Sequence, residues 1–324
     1  MNLKSGFFVL LLLIFVACSG RDENIQKSRN NFIVPEEKVF QATSLLGDSL
    51  FTIVDSVSQK DQLVKLQDAE DAYSDNSTLE NLIWIGRREA YLSRYDLAIR
   101  TFTKAISEHP DAYEPYRHRG HRYISIRKFD KAIEDFNTAS QLMEGVEIQI
   151  EEDGMPNKLN IPLSNIQFNV WYHLGLAHYL KADWENALKA YQECLKVSNN
   201  DDLIVATLDW YYMTLQKLGR DSEARELLKS IKVNMEIIEN DAYFKRLLLY
   251  KGKLTPEALL SVEMTSDEQK LQYVTQGYGL GNYYLSQGDT SQAKSIFQNV
   301  IKTGYWSAFG YIASEMELAK LLNE

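Results

Sequence analysis

Residues 115–124, PYRHRGHRYI, place three arginines and two histidines in ten positions of a chain whose formal net charge is −10. Such a cluster could bind a metal, shuttle protons or hold an anion. His118 and His121, three apart, could share a face toward a metal, but no third and fourth ligand follows at a usable spacing. His173 and His178, five apart, point to different faces of a helix. Cys194 is the one thiol beyond Cys18 at the end of the leader, so no intramolecular disulfide is expected within the exported body. Asp209-Trp210 beside Tyr211-Tyr212 could form a small polar pocket, or be ordinary core and groove aromatics. No glycine-rich phosphate loop, GxSxG elbow or HExxH is present. The residues point to binding rather than catalysis, with no cofactor and no metal.

The elements that must position these side chains repeat. IGRREAYLSRYDLAIRTFTKAISEHP (85–110), RGHRYISIRKFDKAIEDFNTAS (119–140) and LGLAHYLKADWENALKAYQECL (174–195) align Gly86 with Gly120 and Gly175. They also align Tyr95, Phe129 and Trp184; Ala98, Ala132 and Ala187; and Phe102, Phe136 and Tyr191. Later units keep Leu208, Gly219, Ala224 and Ile231, and then Leu280, Gly281, Tyr284, Ala293 and Phe297. A weaker unit between them, YFKRLLLYKGKLTPEALLSV, has Arg246 where the others carry a small residue.

This pattern resembles the tetratricopeptide repeat: two antiparallel helices, with small residues where they cross and large apolar ones between. The resemblance implies an all-α, right-handed superhelical solenoid of about six repeats with terminal capping helices. Repeats one and two occupy 79–146, three and four 168–238, a degenerate fifth 239–272 and a sixth 273–307. A helix within 61–78 and another within 308–324 serve as caps. The insert 147–167 holds Gly154, Pro156 and Pro162, which forbid a continuous helix. Tyr212 stands where repeat four should have a small residue, so that helix pair is expected to open locally.

Arg119, at a position usually apolar, requires a carboxylate partner. Cys194 falls at a small packing position and is expected to be buried and inert. In such repeats certain positions of the first helix face the concave groove. Here they give a basic end, Arg87, Arg117 and His121, followed by Tyr172, Tyr179, Asp209, Met213, Tyr243, Tyr278 and Asn282. The basic end could hold a partner's carboxylate, or Glu151, Glu152 and Asp153 of the insert could fold back on it. The lysine and asparagine of the chaperone-binding carboxylate clamp are absent, since Ile83 and Arg87 stand there.

Ahead of the repeats, Lys4 and the apolar run Gly6 to Val16 have the layout of a secretory signal, 1–17. Phe15-Val16-Ala17-Cys18 resembles the end of a bacterial lipoprotein signal, which implies lipidation at Cys18. Removing 1–17 takes away only Lys4 among charged residues and carries the net charge to −11, which disfavours nucleic acid. Residues 18–60 read as tether and irregular segment. The expectation is a lipid-anchored scaffold of the bacterial cell envelope, outer membrane rather than inner. It would bind a protein or peptide in its groove and touch membrane only through the anchor. The alternatives are a structural subunit working through its convex face or insert, and a small-molecule or metal-binding periplasmic protein.

Overall fold

The computed structural model describes residues 37–54, 58–260 and 264–323. The signal and the lipidation cysteine lie outside them. The element order is β1 (Glu37–Thr43), β2 (Ser49–Val54), α1 (Lys60–Asp75), α2 (Leu79–Tyr91), α3 (Tyr95–Glu108), α4 (Glu114–Ser125) and α5 (Phe129–Leu142). After the insert come α6 (Ile166–Leu180), α7 (Trp184–Val197), α8 (Asp201–Lys217), α9 (Asp221–Leu227) and α10 (Asp241–Tyr250). The chain closes with α11 (Pro256–Leu259), α12 (Asp267–Ser286), α13 (Thr290–Lys302) and α14 (Phe309–Asn323).

Helices pair in sequence order, and one contact builds each well-formed pair. A Cβ placed on Gly86, Gly120, Gly175 or Gly281 would lie 2.5, 2.9, 2.7 and 2.3 Å from the ring of Phe102, Phe136, Tyr191 and Phe297 respectively. The aromatic ring of the second helix therefore lies directly on the backbone of the first, and only glycine permits it. Ala98, Ala132, Ala187 and Ala293 are fully buried at the same crossings. Where the glycine is missing the pair shortens. Tyr212 stacks on Tyr250 with centroids 4.5 Å apart, and α9, its partner, has seven residues. In the fifth repeat, with Arg246 at this position, α11 has four.

Two features depart from the expected solenoid. Residues 37–54, expected to be irregular, form an antiparallel hairpin with Lys38 opposite Ile53 and Phe40 opposite Phe51. A left-handed glycine, Gly47, turns it, and Ala42, Leu50 and Thr52 form its buried face. It docks on the turn of repeat one, where Thr52 Oγ1 donates to the Ser93 carbonyl at 2.7 Å and Gln41 Oε1 accepts from the Tyr95 amide at 3.1 Å.

The second departure is larger. Helix α14 packs on α12 and α13 of the last repeat and also reaches α6 in the interior of the superhelix. Ile312, Ala313, Ser314 and Glu315 have no exposed surface, and Phe309 packs its ring against His121 and His173 at 5.3 and 5.5 Å. Its two acids find cations on distant repeats: Glu315 with Arg127 at 2.7 Å and Glu317 with Lys217 at 2.5 Å. The preceding loop completes the closure. Trp306 stacks edge-on with Tyr95 at 5.5 Å, and its indole N–H donates to the Phe51 carbonyl at 2.9 Å. The last repeat is thus joined to the first through the hairpin. Among the described residues no helix is long and apolar enough to cross a membrane.

Candidate functional site

Helix α4 carries Arg117 and His121 one turn apart, with His118 and Arg122 beside them. The insert crosses in front of this face. Its two arms pair briefly, since the Glu151 amide donates to the Ser164 carbonyl at 3.0 Å and the Ile166 amide to Gln149 at 2.9 Å. Asn165 then starts α6 by accepting from the Phe168 amide at 2.7 Å. This anchoring sets Glu151 between two partners. Arg117 Nη2 lies 3.1 Å from one carboxylate oxygen, and Asn169 Nδ2 donates to the other at 2.9 Å. Further along, Arg87 donates to the Glu152 carbonyl at 2.6 Å and Arg88 to the Gly154 carbonyl at 3.0 Å. Gly154 sits so close to Tyr91 that an added Cβ would fall 2.2 Å from its hydroxyl. Of the three acids expected to fold back, Glu151 answers the basic cluster with its side chain, and Glu152 does so only with its backbone.

A cavity of about 110 Å³ remains beside this strap, lined by Arg87, Arg117, His118, His121, Arg122 and Glu151 among others. Its histidines stay neutral: burial first, and the neighbouring arginines after it, hold His118 and His121 well below the usual imidazole value. Burial does the same to His173, followed by the charge of Arg117, although its ring contacts the Asn169 carbonyl at 2.5 Å. His178 lies apart and pairs with Asp183 at 2.9 Å. No group of three or more His, Cys, Asp or Glu suited to a metal occurs among the described residues.

The expected tyrosine wall faces inward, but it has no open groove in front of it. Arg117, Tyr172, Tyr179, Asp209, Met213, Tyr278 and Asn282 are all buried, against the expectation of an accessible peptide channel. The polar groups meet one another across the superhelix. The Tyr179 and Tyr278 hydroxyls are 2.7 Å apart, and the Tyr172 hydroxyl donates to Tyr243 at 3.0 Å. Arg246 fills the centre. Its guanidinium lies 2.9 Å from Asp209, donates to the Met213 sulfur at 2.9 Å and sits between the rings of Trp210, Tyr243 and Tyr278 at 5.5–5.6 Å. A Cβ on Gly279 would lie 2.2 Å from its Nε, so this glycine makes room for the arginine.

Two single-residue expectations can be read directly. Arg119 is held by Asp135 through two hydrogen bonds of 2.9 and 2.7 Å. Cys194 is fully buried, touches Thr207 Oγ1 at 3.2 Å, and has its thiol pushed up to about 12 by burial. Sequence reasoning missed α14 as the occupant of the interior. The available signal was two glutamates, Glu315 and Glu317, in a helix that is mostly apolar ahead of Lys320.

Two family matches fall on these helix pairs. The tetratricopeptide repeat family matches at residues 168–201 and again at 277–303. The small glutamine-rich tetratricopeptide repeat-containing protein 2 of Saccharomyces cerevisiae is 24% identical over 163 residues, 48% of this chain and 41% of that protein. The chain thus spans well under half the length of this curated relative. A tetratricopeptide repeat protein from Parabacteroides merdae ATCC 43184 superposes with a TM-score of 0.48 at 15% identity, covering 82% of this chain and 94% of its own. YrrB, described as a TPR protein with an unusual peptide-binding site, gives a TM-score of 0.41 at 15% identity over 72% of this chain and 91% of its own. With matched repeats in the middle and near the end of the superhelix, and the same glycine-against-aromatic helix pairs ahead of them, the chain carries tetratricopeptide repeats.

Proposed function

We propose that this chain is a non-catalytic, lipid-anchored scaffold of the bacterial envelope that engages a protein partner through its insert rather than through its concave groove. Tetratricopeptide arrays are protein-interaction scaffolds that present extended surfaces to other proteins. Here the concave surface is filled by α14 and by cross-superhelix tyrosine pairs, so a partner must use another face. One observation carries the choice. Five exposed large apolar side chains, Ile148, Ile150, Met155, Leu159 and Ile161, fall within the insert, with Ile150 and Met155 about two-thirds exposed. Exposed Val233 and Ile238 lie in the neighbouring loop, which the insert meets through Asn157 and Glu239. Large apolar side chains exposed together in one segment of an acidic protein point to a contact with another macromolecule. The exposed acids Glu147, Glu152, Glu236 and Glu239 rim this patch, which favours a partner with an apolar centre and a basic edge.

A photo-cross-linking residue at Ile150 or Leu159, compared with one at partly exposed Thr138 on the second helix of repeat two, tests the reading in native envelopes. One partner captured from 150 and 159 and absent from 138 supports it. Equal capture from 138, or none from the insert, overturns it. The anchor is tested separately: Cys18→Ser should abolish incorporation of labelled palmitate and release the protein from the membrane fraction.

A further inference from the structure

We propose that the cavity between α2 and α4 is an oxyanion site, shaped for a carboxylate- or phosphate-sized group held against Arg122. This site is independent of the insert's outer apolar face. Three guanidiniums, Arg87, Arg117 and Arg122, line the cavity, and Glu151 is the only carboxylate among its lining residues. Glu151 is already engaged by Arg117 and Asn169. Asp153 is half-buried near Arg87 and belongs to the strap rather than the lining.

Elsewhere, four cations drawn into the fold each have a carboxylate, and Lys251 is held by the Leu228 and Ile231 carbonyls. Arg119 has Asp135, Arg127 has Glu315, Lys217 has Glu317 and Arg246 has Asp209. Arg122 breaks the pattern. Among the described residues its guanidinium meets the Tyr95 ring at 5.3 Å and no carboxylate. Beside it, Arg117 is more than nine-tenths buried and its Nε has no acceptor. An unmatched arginine and an orphaned buried donor facing one cavity leave unmet hydrogen-bonding capacity there. The arginines and histidines also crowd one another, so a bound negative charge relieves repulsion as well as accepting hydrogen bonds.

Size limits the ligand. A volume of about 110 Å³ compares with about 30 Å³ per water in the liquid. It therefore holds a few waters or a single oxyanionic group. Guanidinium forks suit the paired oxygens of carboxylate and phosphate alike. The neutral imidazoles of His118 and His121 each offer one N–H. Arg87, His121 and Arg122 are only half-buried, so solvent reaches the cavity.

The test is calorimetric titration of the detergent-solubilised full-length mature protein with inorganic phosphate and, separately, with succinate, at constant ionic strength set with chloride. Saturable binding of one ion per chain is expected for at least one of the two. Phosphate alone, succinate alone, or both identifies which oxyanion the cavity takes. Arg122→Gln should weaken binding at least tenfold, and Arg122→Lys should restore part of it. Glu151→Gln should tighten it several-fold by removing the competing carboxylate. Lys181→Gln, in the separate shallow depression lined by Lys128, Lys131 and Lys181, should change nothing. The proposal is overturned if neither ion binds saturably below about 10 mM, weaker than a single charge-assisted contact should give. Binding that survives Arg122→Gln, or that Lys181→Gln abolishes, also overturns it. If Arg122→Gln fails to fold, the sign of the Glu151→Gln effect decides.

Discussion

Closure of the superhelix by its own last helix makes a strong demand on one ion pair. Arg127 and Glu315 have side chains 3% and 0% exposed. They share two hydrogen bonds of 3.0 and 2.7 Å, while Glu315 also accepts from the Leu45 amide at 3.3 Å. Arg127 further donates to the Trp306 carbonyl at 2.7 Å. Removing one member of such a pair leaves the other charge buried and unmatched, which costs about 3–5 kcal/mol. That is a large part of the 5–15 kcal/mol, roughly, that separates native from unfolded domains. Glu315→Ala should therefore lower the urea stability followed by far-ultraviolet circular dichroism by about that amount. If α14 detaches before the rest unfolds, the same loss appears first as hydrogen exchange of the α14 amides. Replacing both partners with apolar residues, Arg127→Met with Glu315→Leu, should recover most of it, because the desolvation cost disappears with the charges. A single-variant cost below about 1 kcal/mol, the value of a solvated pair, would refute the buried pair and the docking of α14 with it.

Four further outcomes follow from particular positions. Gly175→Ala should destabilise by about 1–3 kcal/mol despite alanine's better helix propensity, since the new methyl would lie 2.7 Å from the Tyr191 ring; thermal melting reads it. Ala182, exposed in a helix-to-helix turn with φ of 58°, should become more stable by up to about 1 kcal/mol as glycine, which accepts that conformation without strain. Glu89 is raised to about 7, chiefly by burial, while Thr101 donates to it. Because its folded value exceeds its unfolded value, stability is fully present below about pH 4.5 and falls as pH rises toward 7. Glu89→Gln should accordingly stabilise by about 1–3 kcal/mol at pH 8 and have little effect at pH 4. Cys194, with its thiol near 12, should resist thiol reagents at pH 8 in the folded protein and react promptly in denaturant.

The repeat itself was legible because it depends on local spacing. A glycine and an aromatic one helix later, with an alanine between, specify one helix crossing, and sequence records it residue by residue. Arg119 was legible for a similar reason: an arginine at an apolar position one helix away from Asp135 has a short list of partners. The hairpin at 37–54 was not, because its short strands carry weak alternation, with Gln41 among the inward residues. That glutamine is buried for what it reaches, the Tyr95 amide 54 positions away. The fate of the groove was hidden for the same physical cause. Whether inward tyrosines line a channel or meet across a closed interior depends on the accumulated rotation of the repeats. Tyr179 and Tyr278 are 99 residues apart, and nothing in either segment alone says that they touch.

This closure also explains where the functional features lie. A superhelix that buries its own concave wall gives up the surface on which such repeats usually receive a partner. Among the surfaces that stay open is one the repeat does not dictate, the insert. Its inner arm supplies Glu151 to the basic cluster, and its outer side presents Ile148, Ile150, Met155, Leu159 and Ile161 to solvent. A segment kept only to connect helices needs neither, since two to eight residues suffice for that purpose. Burying one carboxylate against Arg117 fixes the strap in place at some desolvation cost. The same fixation holds the apolar side in a defined shape, which reduces the conformational entropy lost on binding. The insert is thus tied to the scaffold on one face and available on the other, the arrangement that the proposed docking role requires.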